Sequence, residues 1–225
     1  MIDFLYPVML LLSFAFLLVT TCVYIIIRDL RKQLFGKMML GFLINVSLNF
    51  LLNGINQVIP LSDYDVSITP GCFILAYLTH YTFISFFLWM NAMAVNVTYK
   101  FRDILQTHNL EERSSSLVVT MILVYTQGIP AVISIIIAII DTTADCAGDT
   151  VLPNMARFNC FLATDHHYYD DGDESVLNKF LHSSEFLYFY LIIFIIVMVN
   201  TVLFIIAGYF ILRQMYSQDD ILQRR

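Results

Sequence analysis

Five stretches of the chain contain no Asp, Glu, Lys or Arg: Leu5 to Ile27, Met38 to Ile59, Cys72 to Val97, Leu117 to Ile140 and Phe186 to Leu212. No other feature limits the fold so severely. An α-helix rises 1.5 Å per residue, so about 20 apolar residues cross the ~30 Å of hydrocarbon in a bilayer. In that medium every backbone amide has to pair within the protein, which leaves helices or closed barrels. A barrel strand alternates polar and apolar residues over ~10 positions, and the sequence has no such alternation. The expectation is an all-α membrane protein. It has a single transmembrane domain, residues 1–225, built as a bundle of five transmembrane helices with a long loop at 141–185.

Composition agrees. The chain is 59% hydrophobic and 13% charged, against about 25% charged for a soluble domain. The first apolar run is too long for a signal peptide, and Met1-Ile2-Asp3 brings no positive charge ahead of it, so it reads as a retained span. Lys and Arg collect on the cytoplasmic side of a membrane protein. Here Arg28, Arg31, Lys32, Lys37, Lys100, Arg102, Arg113, Arg213, Arg224 and Arg225 fall on one side of a five-span topology, and only Arg157 and Lys179 on the other. This places the N-terminus outside and the C-terminus in the cytoplasm. The charges then divide into an acidic outer face and a basic inner one, with no footprint for nucleic acid. Two sequons, Asn45-Val46-Ser47 and Asn96-Val97-Thr98, lie within or at the inner end of spans, so no N-glycan is expected.

The long loop carries Asp141, Asp145, Asp149, Asp165, Asp170, Asp171, Asp173 and Glu174. A loop of this length and character has its own fold or a binding role, or, at its Asp-rich tip from Tyr168 to Glu174, is simply solvated. Cys72, Cys146 and Cys160 face the oxidising side, where disulfides persist, and Cys22 lies within the first span. Polar groups inside spans turn toward the bundle. In the second span Asn45, Asn49, Asn53 and Asn56 fall within an arc of about 80°. This stripe lines a hydrated pocket or ties helices together. In the third span His80 and Asn91 share a face with Ile84 and Phe87. His80 reads as a ligand contact, a pH sensor or a packed histidine. Gly128-Ile129-Pro130 predicts a kink in the fourth span, because Pro130 lacks an amide hydrogen. Asn200 is a further inward candidate. No charge relay crosses the spans, no phosphate loop or metal spacing is present, and His166-His167 stands alone. An enzyme, a cofactor and a metal are therefore not expected, and a transporter reading finds no repeated halves.

The stretch SFFLWMNAMAVNVTYKFR, Ser85 to Arg102, then carries a resemblance. An aromatic run, a Trp, an apolar stretch and an aromatic-Phe-Arg close resemble the third span of Methuselah-like receptors, an insect branch of the secretin-type G-protein-coupled receptors. Gly128-x-Pro130 resembles the family's Trp-Gly-x-Pro, with Gln127 in the place of the Trp. VNTVLFI, Val199 to Ile205, and Arg157 to Leu162 resemble the family's fifth-span and outer-loop segments.

The resemblance implies a receptor bundle, a disulfide between Cys72 and Cys160, an outward ligand site and an inward G-protein site. It also implies seven spans, so a chain of five reads as truncated after the fifth. The residues assigned to an outward pocket are Asn49, Asn53, Tyr77 and His80. Arg28, Arg31, Lys32, Lys100 and Arg102 mark the inner surface, where contact with acidic lipid heads explains them equally well. The expected function is transmission of an extracellular signal to a heterotrimeric G protein at the plasma membrane. The ligand is unknown, with a cationic or basic-peptide class favoured by the acidic outer face. The alternative is a non-signalling interaction protein that forms a hetero-oligomer with a full-length receptor.

Overall fold

Charge-free blocks that must satisfy their own amides fold as helices, and among the described residues five helices are long and apolar enough to cross a membrane. The structure, a computed structural model, describes residues 2–58, 70–107, 116–143, 153, 155 and 186–223. Helix α1 spans Ile2–Ile26. The short α2, Arg28–Lys32, sits between two extended residues, Ile27 and Gln33, and turns the chain into α3, Leu34–Val58. Helix α4 covers Pro70–Thr107, extending past both ends of the stretch expected from the apolar run. The fourth span is a composite of α5, Ser116–Leu123, a wide π-helical turn at Val124–Gly128, and α6, Ile129–Thr143. A second π-helical turn, Phe186–Tyr190, leads into α7, Leu191–Gln223.

Neighbouring spans run antiparallel. On α3 and α4, Asn45 pairs with Ser85, Asn49 with Thr82 and Asn56 with Thr79, so one helix rises as the other descends. The end at which α4 begins and α6 finishes is the Pro70 end, and the opposite one is the Lys37 end. Helices α3 and α4 are the most buried, while α1 and α7 show most of their apolar surface. Such surface suits a lipid solvent, in which it carries no hydrophobic penalty.

The expected break at Gly128-Ile129-Pro130 takes the form of the wide turn just before Pro130. Pro130 cannot donate to the carbonyl one turn back, on Thr126. That carbonyl instead accepts from the Ser85 hydroxyl at 2.9 Å, so the vacancy is filled from α4. Near the Lys37 end, Leu34, Met38, Trp89 and Ala92 form a core, with Phe42, Val119 and Ile122 packed on it. Gly41 is needed there, because a Cβ would lie 2.4 Å from the Trp89 ring. A groove of about 220 Å³ lies beside it, lined by Lys37, Gly41, Ile44, Trp89 and Leu123 among others.

Candidate functional site

Polar side chains inside this bundle form three groups, and they differ in how completely they are paired. The first is the seam between α3 and α4. Thr79, Thr82 and Ser85 recur every three residues on one face of α4 and meet the asparagine stripe. Asn45 Nδ2 donates to Ser85 Oγ at 2.9 Å, Asn49 Nδ2 to Thr82 Oγ1 at 3.1 Å, and Asn56 Nδ2 to Thr79 Oγ1 at 2.8 Å. The hydroxyls donate onward to backbone carbonyls of Thr126, Thr79 and Leu75. Asn53 bonds within its own helix, to the carbonyl and side-chain oxygen of Asn49. Gln127 joins from the π-helical turn, its Oε1 accepting from Tyr81 and lying 3.4 Å from Ser85 Oγ.

The second group lies toward the Lys37 end, at the level of the Trp89 core on α4. Asn91 Nδ2 donates to Asn200 Oδ1 at 3.0 Å, and Tyr125 donates to Asn91 Oδ1 at 2.9 Å. Asn200 Nδ2 closes the set on the Phe87 carbonyl at 3.4 Å. This joins α4, α7 and the wide turn of the fourth span through neutral bonds.

The third group lies at the Pro70 end, where α4, α6 and the second π-helical turn converge. Along α6 the buried positions are Pro130, Ser134, Ile137 and Asp141, spaced four, three and four apart, which is one helical face. Asp141 is therefore not the first residue of a solvated loop, as its place at the end of the apolar run suggested. It is a helical residue turned into the bundle and only 8% exposed. Its Oδ2 accepts from the Tyr77 hydroxyl at 3.1 Å, and its Oδ1 is buried with no partner. His80 is fully buried in the same seam, at the level of Ser134. Its Nε2 lies 3.1 Å from the Tyr188 carbonyl, so that nitrogen donates, and its Nδ1 lies 3.4 Å from Ser134 Oγ. The walls are apolar and aromatic. Ile137, Met155 and Phe189 are the buried members, with Tyr77, Phe83 and Tyr188 packed against them. Phe83 and Phe189 have ring centroids 4.9 Å apart. Met155, from the segment between α6 and α7, is wholly buried here.

The four residues expected to share a pocket are thus divided. Asn49 and Asn53 belong to the α3 seam, and Tyr77 and His80 to the opposite face of α4. Cys72 is 2% exposed and disulfide-bonded, whereas Cys160 lies outside the described residues. Arg28 and Lys100 are exposed and Arg31 is half-buried. Lys32 pairs with Asp29 at 2.6 Å, both side chains in solvent. Arg102 lies on α4, with its side chain outside the described part. No group of three or more His, Cys, Asp or Glu suited to a metal occurs among the described residues.

A family model for seven-transmembrane receptors of the secretin family matches residues 1–170, which takes in the first four spans and part of the segment after them. The chain belongs to the secretin family of seven-transmembrane receptors. No curated protein matches it in a sequence search. Secretin-family receptors are multi-pass membrane proteins that bind extracellular ligands and couple to G proteins, and they signal without catalysing a reaction. Within that class the polar bundle reads naturally. Two groups of neutral bonds fix the helices, and a third, at the Pro70 end, holds a buried carboxylate that is incompletely paired.

Proposed function

We propose that this secretin-family receptor chain is Methuselah-like and lies in the plasma membrane. In this reading its N-terminus is outside, its C-terminus is cytoplasmic, and the Pro70 end receives an extracellular ligand. The observation that carries the reading is the Tyr77–Asp141 pair, a polar contact built into the aromatic Pro70 end of the bundle. The charge pattern supports the orientation, since Arg28, Arg31, Lys32 and Lys100 sit at the opposite end. Tyr77 borders the ligand site in this proposal. His80 holds the π-helical turn in place behind it, and Asn49 and Asn53 act by fixing α3 against α4. The disulfide of Cys72 runs to Cys160 and ties the acidic segment over the site. The basic end, Arg102 included, meets acidic lipid heads and the G protein. Ligand binding shifts the bundle between conformations that differ in affinity for it.

A second reading rests on the large apolar surfaces that α1 and α7 leave uncovered. In it the chain pairs with a full-length relative, through helix faces such as those of α1 and α7, and does not signal alone. One experiment separates the two. The chain is expressed in cells carrying G-protein biosensors, with and without a seven-span relative, and tagged at each terminus for surface labelling. A ligand-dependent response from the chain alone supports the first reading. Co-purification with the relative and silence alone support the second. An N-terminal tag that labels only after permeabilisation sinks the orientation common to both.

A further inference from the structure

We propose that Asp141 is the docking point for a cationic group, an ammonium or a guanidinium, carried by the ligand, and that Met155 is the side chain this group displaces. The proposal rests on the receptor reading above and names the ligand chemistry it left open.

Asp141 is the one buried acidic side chain among the described residues. A carboxylate has acceptor capacity for about four hydrogen bonds. This one uses a single oxygen, on Tyr77, and leaves the other sealed from solvent and unpartnered. No lysine, arginine or histidine among the described residues forms an ion pair with it. His80, on the same seam, has its ring nitrogens directed at Tyr188 and Ser134. An uncompensated carboxylate in a membrane bundle is costly and marks a functional site by default. An asparagine would also accept a hydrogen bond from Tyr77, without that cost, so packing alone does not account for an acid here.

The surroundings suit a cation. Tyr77, Phe83, Tyr188 and Phe189 border the same cluster, and aromatic faces attract ammonium and guanidinium groups. Exclusion of water strengthens the pairing that an arriving charge makes. The segment from Asp145 to Glu174 is rich in acid and draws cations toward this end. Met155 is a buried member of one cluster with Ile137, one helical turn before Asp141, and Phe189. Its unbranched thioether has no polar partner to lose and yields its place readily.

The test uses the full chain in lipid nanodiscs, with thermal unfolding as readout and three probes: benzylammonium, its neutral counterpart benzyl alcohol, and arginine amide. Benzylammonium or arginine amide is expected to raise the midpoint by several degrees at millimolar concentration, while benzyl alcohol leaves it unchanged. Asp141→Asn should fold with a higher midpoint than the native chain and weaken cation binding by at least about tenfold. Met155→Ala should tighten it by about threefold or more. Stabilisation by arginine amide alone assigns the cation to a basic side chain of a peptide, and by benzylammonium alone to a small amine. Equal stabilisation of the native chain and Asp141→Asn, or none by either cation, overturns the proposal. A G-protein response to some other ligand would then leave the receptor reading standing. Conversely, cation binding without any G-protein response would keep the Asp141 site and sink the receptor reading.

Discussion

The α3–α4 seam and the Pro70 end of the α4–α6 seam both bury polar groups in an apolar bundle, but they bury different kinds. The first matches amides with hydroxyls, passing each donor along until it reaches a backbone carbonyl. Its unpartnered atoms, Oδ1 of Asn45 and of Asn56, are neutral acceptors. The second leaves an acidic oxygen open. An unmet neutral carbonyl costs modestly, whereas an unmet buried charge costs far more. Natural bundles accept the larger cost where a partner arrives from elsewhere, so the first seam reads as architecture and the second as a site waiting for an occupant.

The sharpest way to break this contrast is to cut the covalent tie at one region and leave the other alone. Cys72→Ser removes the disulfide at the start of α4. Loss of a native disulfide typically costs about 2–5 kcal/mol. The unfolding midpoint should fall, and hydrogen exchange should speed up at the Pro70 end while Asn45 to Asn49 stay protected. Equal loss in both regions would show that they unfold as one unit. Non-reducing peptide maps of the native chain should contain a Cys72–Cys160 peptide, and a Cys72–Cys146 peptide would overturn that pairing.

Ser85→Ala attacks the opposite region. Ser85 accepts from Asn45 and donates to the Thr126 carbonyl that Pro130 leaves free. Its removal strands a buried donor and a buried acceptor together, at about 2 kcal/mol or more. Refolding titrations in mixed micelles measure it. Asn45→Leu on top of Ser85→Ala should recover part of the loss, because replacing both partners by apolar groups removes the unmet amide. The Asn91–Asn200 group is weaker. A double-mutant cycle on Asn91→Ala and Asn200→Ala should give a coupling of about 0.6 to 1.7 kcal/mol, the range for hydrogen bonds between membrane helices.

Much of the scaffold was legible because bilayer thickness fixes span length. Five charge-free runs announce five helices whatever their side chains do. The asparagine stripe was legible too, since four polar residues on one helical face have few destinations. Its partners were readable but less conspicuous, because Thr79, Thr82 and Ser85 are common residues in an aromatic-rich helix and only their three-residue repeat sets them apart. His80 stood out by type, but its acceptor is a backbone carbonyl at the π-helical turn, and helix irregularity has no plain sequence mark. Asp141 was the residue most easily misread. An acid at the end of an apolar run looks like the first residue of an acidic loop. The corrective signal is its phase: Ser134 lies seven residues before it, so the two polar side chains share one face of α6.

The smallest effect is the most discriminating. Tyr77→Phe removes the single hydroxyl held by Asp141. A hydrogen bond to a charged acceptor is worth about 1.5–3 kcal/mol, against about 0.5–1.5 kcal/mol for a neutral one. If Asp141 is a charged site, Tyr77→Phe should cost about 1 kcal/mol more in the native chain than in the Asp141→Asn background, because the amide accepts the same bond without the charge. If the carboxyl is a neutral packing group, the two costs should agree within the error of the unfolding midpoint. The α3–α4 seam supplies the control. Thr82→Val removes a neutral bond to Asn49, and its cost should be the same whichever residue stands at position 141, since the two seams lie on different faces of α4 and share no side chain.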